Sequence, residues 1–302
     1  MFRLRIGYLL SGIATGLILL FGFLGTLPDG KLHITFCDVG QGDAAYIRFP
    51  DGRDMLVDAG PNDKVLGCLG SHMPFWDRVL DIVVLTHPQK DHMQGLLSVF
   101  ERYDVGYFIR SDIANSTEGY QKLIDLVKKH AIKEKFVTTR ERITVGKVAL
   151  NVLWPSTDQI AHMNFTRSNS SVLGASSITN LNDGSIVFWL RYGSFDAIFP
   201  GDATLRPHFA EAPRGFAWRA DNVVEVLKVP HHGSKTGMSE AFLDWLNPQL
   251  AVISVGKNNT YGHPAEQILG LLQQRNIRAL RTDQEGEIEV VSDGKGWRVL
   301  PL

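Results

Sequence analysis

The stretch IVVLTHPQKDHMQG at residues 82–95 constrains this chain more than any other. Ile82-Val83-Val84-Leu85-Thr86 is an apolar, β-branched run that reads as a buried strand. It ends directly in His87, with Asp91 and His92 following within one turn. A strand end that delivers two imidazoles and a carboxylate together has the residue types of a divalent-metal site. One histidine alone would read as a satisfied loop residue; three ligand-type side chains in six positions argue against that reading.

Further ligand-type residues stand at the ends of other apolar runs. Asp58 follows Met55-Leu56-Val57, and Asp202 follows Ala197-Ile198-Phe199-Pro200-Gly201. His231 and His232 follow Val226-Leu227-Lys228-Val229-Pro230, and His263 comes after Ala251–Val255 in the sequence Tyr261-Gly262-His263-Pro264. Taken singly, an Asp before Gly is a turn residue and a His before Pro a loop residue. Their repeated placement after strands points instead to the strand ends where layered α/β folds build sites.

The N-terminus differs in kind. No charge occurs from Ile6 to Pro28, and Arg3 and Arg5 precede the run. That length suits a transmembrane helix, and the arginines favour an N-terminus inside the cytoplasm. Phe23-Leu24-Gly25-Thr26 fits a signal-peptidase site poorly, so residues 1–30 read as an uncleaved signal anchor. Residues 31–302 then form one domain on the extracytoplasmic side of the cell membrane. Gly12 and Gly16 make a small-xxx-small pair on that helix.

Composition sets only broad limits. With 302 residues, 44% of them hydrophobic, the chain can bury one large core or two small ones. A net charge of −1 gives no global electrostatic case for nucleic acid and none against a local groove. Lys128, Lys129, Lys133, Lys135, Arg140 and Arg142 form a basic stretch, which reads first as a solvated face. Cys37 and Cys68 do not make a disulfide framework and read as two buried thiols.

From Lys31 onward strand and helix signals alternate. Strands are expected at 32–36, 44–49, 55–57, 147–153, 185–192, 196–199, 223–229, 250–255, 279–282 and 287–291, and helices at 93–102, 120–130, 239–246 and 265–274. Residues 155–184, rich in Ser, Thr and Asn, read as a long loop. Sheets covered by helices follow from this pattern.

Seven motifs now carry a resemblance: FCDVGQGDA at 36–44, LVDAG at 56–60, LTHPQKDHMQGL at 85–96, FPGDA at 199–203, LKVPHHGS at 227–234, ISVGKNNTYGHP at 253–264 and RTDQEGEIEV at 281–290. With them the chain resembles metallo-β-lactamase-fold hydrolases, and among these the C-terminal hydrolase domains of ComEC-type competence DNA-uptake proteins. The resemblance implies a four-layer αββα sandwich, here preceded by one N-terminal transmembrane helix. It implies metal ligands His87, Asp91, His92, Asp202 and His263, with Asp202 bridging two positions. Gln89 stands where ComEC-type sequences have Asp, and an amide is the poorer ligand. One firm cation position and one weak or conditional position are therefore expected. Mn²⁺ or Mg²⁺ would suit the oxygens, and Zn²⁺ the imidazoles.

The same resemblance implies roles and partners. Asp58 would orient a ligand histidine, Asp91 would ligate or act as base, and His231 or His232 would bind metal or contact phosphate. On an extended stretch adjacent side chains face opposite ways, so one of these two histidines is expected in the site. The implied substrate is DNA, single-stranded DNA included, with a channel protein as partner. Two other functions stay open: a non-nuclease metallohydrolase acting on an envelope or small-molecule phosphodiester, ester or amide, and a degenerate, metal-poor binding module.

Overall fold

The computed structural model describes residues 3–24, 27–113, 115–173, 180–204 and 223–300, of which 3–6, 20–21, 23–24 and 166–173 are described in backbone only. The strands in chain order are β1 (Leu32–Phe36), β2 (Ala45–Arg48), β3 (Asp54–Val57), β4 (Val79–Leu85), β5 (Asp104–Arg110), β6 (Lys133–Phe136), β7 (Arg142–Val145), β8 (Val148–Trp154), β9 (Val187–Tyr192), β10 (Phe195–Phe199), β11 (Val224–Lys228), β12 (Pro248–Ile253), β13 (Arg278–Arg281), β14 (Ile288–Ser292) and β15 (Trp297–Leu300). They form an eight-stranded sheet, β15-β14-β1-β2-β3-β4-β5-β6, and a seven-stranded sheet, β13-β12-β11-β10-β9-β8-β7. Each sheet is antiparallel in one part and parallel in the other. The parallel runs are β3 to β6 and β10 to β13.

Period-two alternation sorts side chains between the layers. In β4, Ile82 and Val84 point to the interior between the sheets, while Val83 and Leu85 point to an outer layer. Between the sheets, Ile34, Phe36, Met55 and Val57 meet Leu150, Phe188, Phe199 and Val252. Phe199 stacks on Phe188 at 4.8 Å and on Phe36 at 5.8 Å, joining the two sheets directly. Outside the first sheet pack α2 (Val65–His72), α3 (Lys90–Arg102) and α4 (Glu118–Lys129), through residues such as Leu69, Leu96 and Leu123. Outside the second pack α6 (Glu240–Leu246) and α7 (Glu266–Gln274), through Leu243, Leu246, Ile268 and Leu272. The result is the αββα sandwich.

Two expectations change. Residues 155–184 are not a plain loop: α5 (Thr157–Leu173) and a 3₁₀ turn at Leu181–Gly184 occupy much of the segment. Cys37 and Cys68 are not free thiols; they form a disulfide with Cα atoms 5.9 Å apart, an ordinary spacing for the bond. The sequence separation of 31 residues carried no information about that proximity. The expected transmembrane segment forms the helix α1 (Arg3–Leu24). Among the described residues, however, no helix is long and apolar enough to cross a membrane, so the span gains no support there. The side chains of Arg3 and Arg5 lie outside the described residues, as do residues 1, 2, 25 and 26.

Candidate metal centre

The parallel strands β3, β4, β10 and β11 deliver their C-terminal ends to one place, as the crevice rule for α/β sheets requires. Asp58, just after β3, takes a left-handed backbone conformation at φ +57°, which turns its carboxylate under the end of β4. There it accepts from the Thr86 N–H at 2.8 Å and the Thr86 hydroxyl at 2.7 Å. The same carboxylate accepts from His92 Nδ1 at 2.8 Å. Asp58 therefore fixes both the end of β4 and the tautomer of His92, leaving Nε2 to face the opposite way.

Helix α3 brings Asp91 and His92 in on its first turn. It can do so because Gly95 lies against the Asp58 loop. A Cβ at residue 95 would stand 2.1 Å from the Ala59 carbonyl oxygen. Asp202 arrives from β10 through Gly201, whose φ of +55° and crowding against Thr86 exclude a side chain. The Asp202 N–H donates to the Ser185 hydroxyl at 3.3 Å.

After β11 the chain turns sharply, and His231 and His232 are both left-handed, at φ +51° and +53°. This overturns the expectation that one of them faces the site. An extended stretch would have sent the rings apart, but the turn aims both at Asp202 Oδ2, from 3.8 Å for His231 Nε2 and 3.5 Å for His232 Nε2. His232 is buried and donates from Nδ1 to the Ser254 carbonyl at 3.0 Å, so its Nε2 looks into the cluster, 3.4 Å from Asp91 Oδ2. His231 stays partly exposed at the rim.

His92 Nε2 closes the cluster at 3.3 Å from Asp202 Oδ1. His87 lies beside it, ring centres 4.1 Å apart. His263 is further out; its ring is 5.8 Å from that of His231 and 6.0 Å from that of Tyr261. Gln89 points at Asn182, donating to Oδ1 at 2.5 Å, and Asn182 Nδ2 lies 3.4 Å from His231 Nε2. Two residues outside the expected set also stand here. Asp43, from the turn between β1 and β2, lies 3.3 Å from His232 Nδ1, and Lys228, the last residue of β11, is ion-paired to it. Their signals were an acid inside the Gly40–Ala44 turn and one lysine inside an apolar run. The basic stretch lies elsewhere. Lys133 and Lys135 run along the edge strand β6, over the Tyr107 ring and against Glu141, where lysines discourage edge pairing.

A divalent cation fits this arrangement. His87 Nε2, His92 Nε2, His232 Nε2 and both Asp202 carboxylate oxygens are buried without a hydrogen bond, a costly state unless a ligand satisfies them. Asp43, His92, Asp202 and His232 each offer a ligand-type atom, all within 4.8 Å of one another, and this buried cluster could hold a metal ion. Burial, and then the neighbouring His92, push His87 down to about 3, so its imidazole is neutral and fit to ligate. Burial opposes charge on His92, yet Asp202 and Asp58 on its two sides outweigh it and raise that imidazole well above its ordinary range. Burial likewise works against an ionised Asp202, but His232 and His92 hold its carboxyl well below the usual value.

No family model matches the chain. It is 27% identical over 299 residues to ComE operon protein 3 of Bacillus subtilis (strain 168), covering 91% of this chain and 34% of that protein. It is 26% identical over 277 residues to the competence protein ComA of Neisseria gonorrhoeae, covering 90% and 34%. The chain thus spans about a third of the length of these relatives. Among solved structures, Tm1679, a metal-dependent hydrolase of the beta-lactamase superfamily, superposes with a TM-score of 0.52 at 13% identity, over 83% of this chain and 95% of that one. The fold is the metallo-β-lactamase fold, and the chain is related to ComEC-type competence proteins.

Proposed function

We propose that this protein is a membrane-anchored, metal-dependent phosphodiesterase that cleaves DNA on the extracytoplasmic side of the cell membrane. One observation carries the reading: buried Nε2 atoms of His92 and His232 converge, without hydrogen bonds, on both free oxygens of Asp202. His92, Asp202, His232 and Asp91 would hold the firm cation. His87 and Asp202 would offer a weaker second position, and His263 stands at the rim. Bound there, a divalent ion would supply Lewis acidity toward a phosphoryl oxygen and lower the pKa of water toward neutrality.

The chain's own groups do the rest. The Asp58 carboxylate and the Ser254 carbonyl accept hydrogen bonds from Nδ1 of His92 and His232 and so keep the Nε2 lone pairs inward. Asp91, a third exposed, reaches the mouth of the cluster, where it can orient a water. His231, also at the mouth, can donate to a phosphate oxygen or to the leaving oxygen.

The choice of DNA rests on the kinship with competence proteins. The anchor rests on the apolar helix α1, whose Leu9, Leu10, Ile13, Ile18 and Leu19 are exposed, a surface that a bilayer would cover. A Cys37–Cys68 disulfide suits an oxidising compartment outside the cytoplasm. A channel protein would be its partner in DNA uptake.

The full chain in detergent, incubated with labelled single- and double-stranded DNA, Mn²⁺, Mg²⁺, Zn²⁺ or EDTA, tests this reading. Cleavage that needs a cation and vanishes in Asp202→Ala is the expected result. Bound cation without DNA cleavage would move the assignment to another phosphodiester, ester or amide. Neither bound cation nor cleavage would leave a binding module.

A further inference from the structure

Among the described residues, Asp43 and Lys228 form a buried ion pair that touches the cluster and that the proposed reaction leaves without a role. Asp43 is 5% exposed and Lys228 4%. The Lys228 ammonium pairs with Asp43 Oδ2, while Asp43 Oδ1 lies 3.3 Å from His232 Nδ1 and Oδ2 lies 3.8 Å from His92 Nδ1. Both contacts are on the Nδ1 edges of the two rings. The Nε2 atoms face Asp202, on the other side. A cation at about 2.0–2.1 Å from an Nε2 stands beyond ligand reach of a carboxylate on the Nδ1 edge of the same ring. The Nδ1 atoms are also engaged already, by Ser254 and Asp58.

Main-chain bonds hold Asp43 in place independently of its carboxylate. Its N–H donates to the Asp91 carbonyl at 3.1 Å, and its carbonyl accepts from Gly60 at 2.8 Å. A Cβ at the adjacent Gly42 would stand 2.3 Å from that Asp91 carbonyl oxygen, so the turn sits directly on the start of α3. One turn thus braces the first turn of α3, which carries Asp91 and His92, and the His232 ring from the second sheet.

We propose that Asp43, neutralised by Lys228, is a positioning carboxylate that fixes the His92 and His232 rings from their Nδ1 edges and is not a metal ligand. The proposal rests on the reading that the cluster holds a divalent cation. Its consequence is electrostatic as well as geometric. Asp43→Asn keeps the shape but leaves the Lys228 charge unpaired beside the cation position, whereas Asp43→Asn/Lys228→Met removes both charges together.

Mn²⁺ binding to the full chain in detergent, followed by the EPR signal of free Mn²⁺, separates the alternatives, with Asp202→Asn as the ligand-loss control and Co²⁺ absorption reporting the donor set. Asp43→Asn should bind Mn²⁺ about 10–100-fold more weakly with unchanged stoichiometry, the usual effect of losing an outer partner of a ligand. The double variant should recover to within about tenfold of the parent and keep the parent Co²⁺ bands. If Asp43→Asn alone does not fold, the charge-neutral double variant carries the comparison. A double variant that binds as poorly as Asp202→Asn, with altered Co²⁺ bands, would make Asp43 a ligand and overturn the proposal. Parent-like affinity in Asp43→Asn would remove its positioning role. A parent chain that binds no divalent ion would sink the metal reading and this proposal together.

Discussion

At Gln89 the chain places an amide where ComEC-type sequences have a carboxylate, and the side chain turns to Asn182 instead of toward His87 and Asp202. In the proposed reading a second cation position would have His87 and Asp202 without a strong third donor. Gln89→Asp restores one, and Asn182 can rotate its amide to donate to the new carboxylate. The variant should bind a second equivalent of Mn²⁺, counted by elemental analysis after dialysis; one equivalent in both parent and variant would remove Gln89 as the limiting residue. The residues legible from sequence are those whose type is rare after a strand: His87, Asp91, His92, Asp202 and the pair His231-His232. Asp43 was not legible, because an acid in a Gly-rich turn has an ordinary local reason to be there. Lys228 was hidden too, since nothing local shows which distant carboxylate neutralises a lysine at a strand end. The orientation of His231 and His232 depended on backbone conformation, which adjacent identical residues do not reveal.

The elements that support the site are short and tightly tied. The Cys37–Cys68 bond joins the residue after β1 to α2, at the start of the turn that carries Asp43. Closing a loop of that size contributes on the order of 2–4 kcal/mol. Cys37→Ser/Cys68→Ser should therefore lower stability by about that amount in denaturant titrations under oxidising conditions. An unchanged midpoint and slope would mean that the thiols are free in solution. Strands with apolar alternation, and helices with clear caps or termini, were legible. Edge strand β6, Lys-Glu-Lys-Phe, was not, because pairing with β5 rather than its own pattern makes it a strand. Helix α5 was misread because its Ser, Thr and Asn content suits turns as well as it suits a helix.

Across the whole molecule, two sheets of mixed strand direction bring their parallel ends to the same edge, and the cluster forms where they meet. Ligand-type side chains from both sheets are needed: His87, Asp91 and His92 come from the first, Asp202 and His232 from the second. The layered architecture was legible because strand and helix signals alternate from Lys31 onward and the motifs recur in order. How the two sheets face each other was not, because the Phe36–Phe199 stack that joins them links residues more than 150 positions apart. If this meeting point is a metal centre, anomalous X-ray scattering from crystals grown with Mn²⁺ will locate the ion. The expected result is a manganese peak bounded by His92 Nε2, His232 Nε2 and the Asp202 carboxylate, absent in Asp202→Ala. No peak there at saturating Mn²⁺, or a peak on the Nδ1 side of the rings, would contradict it.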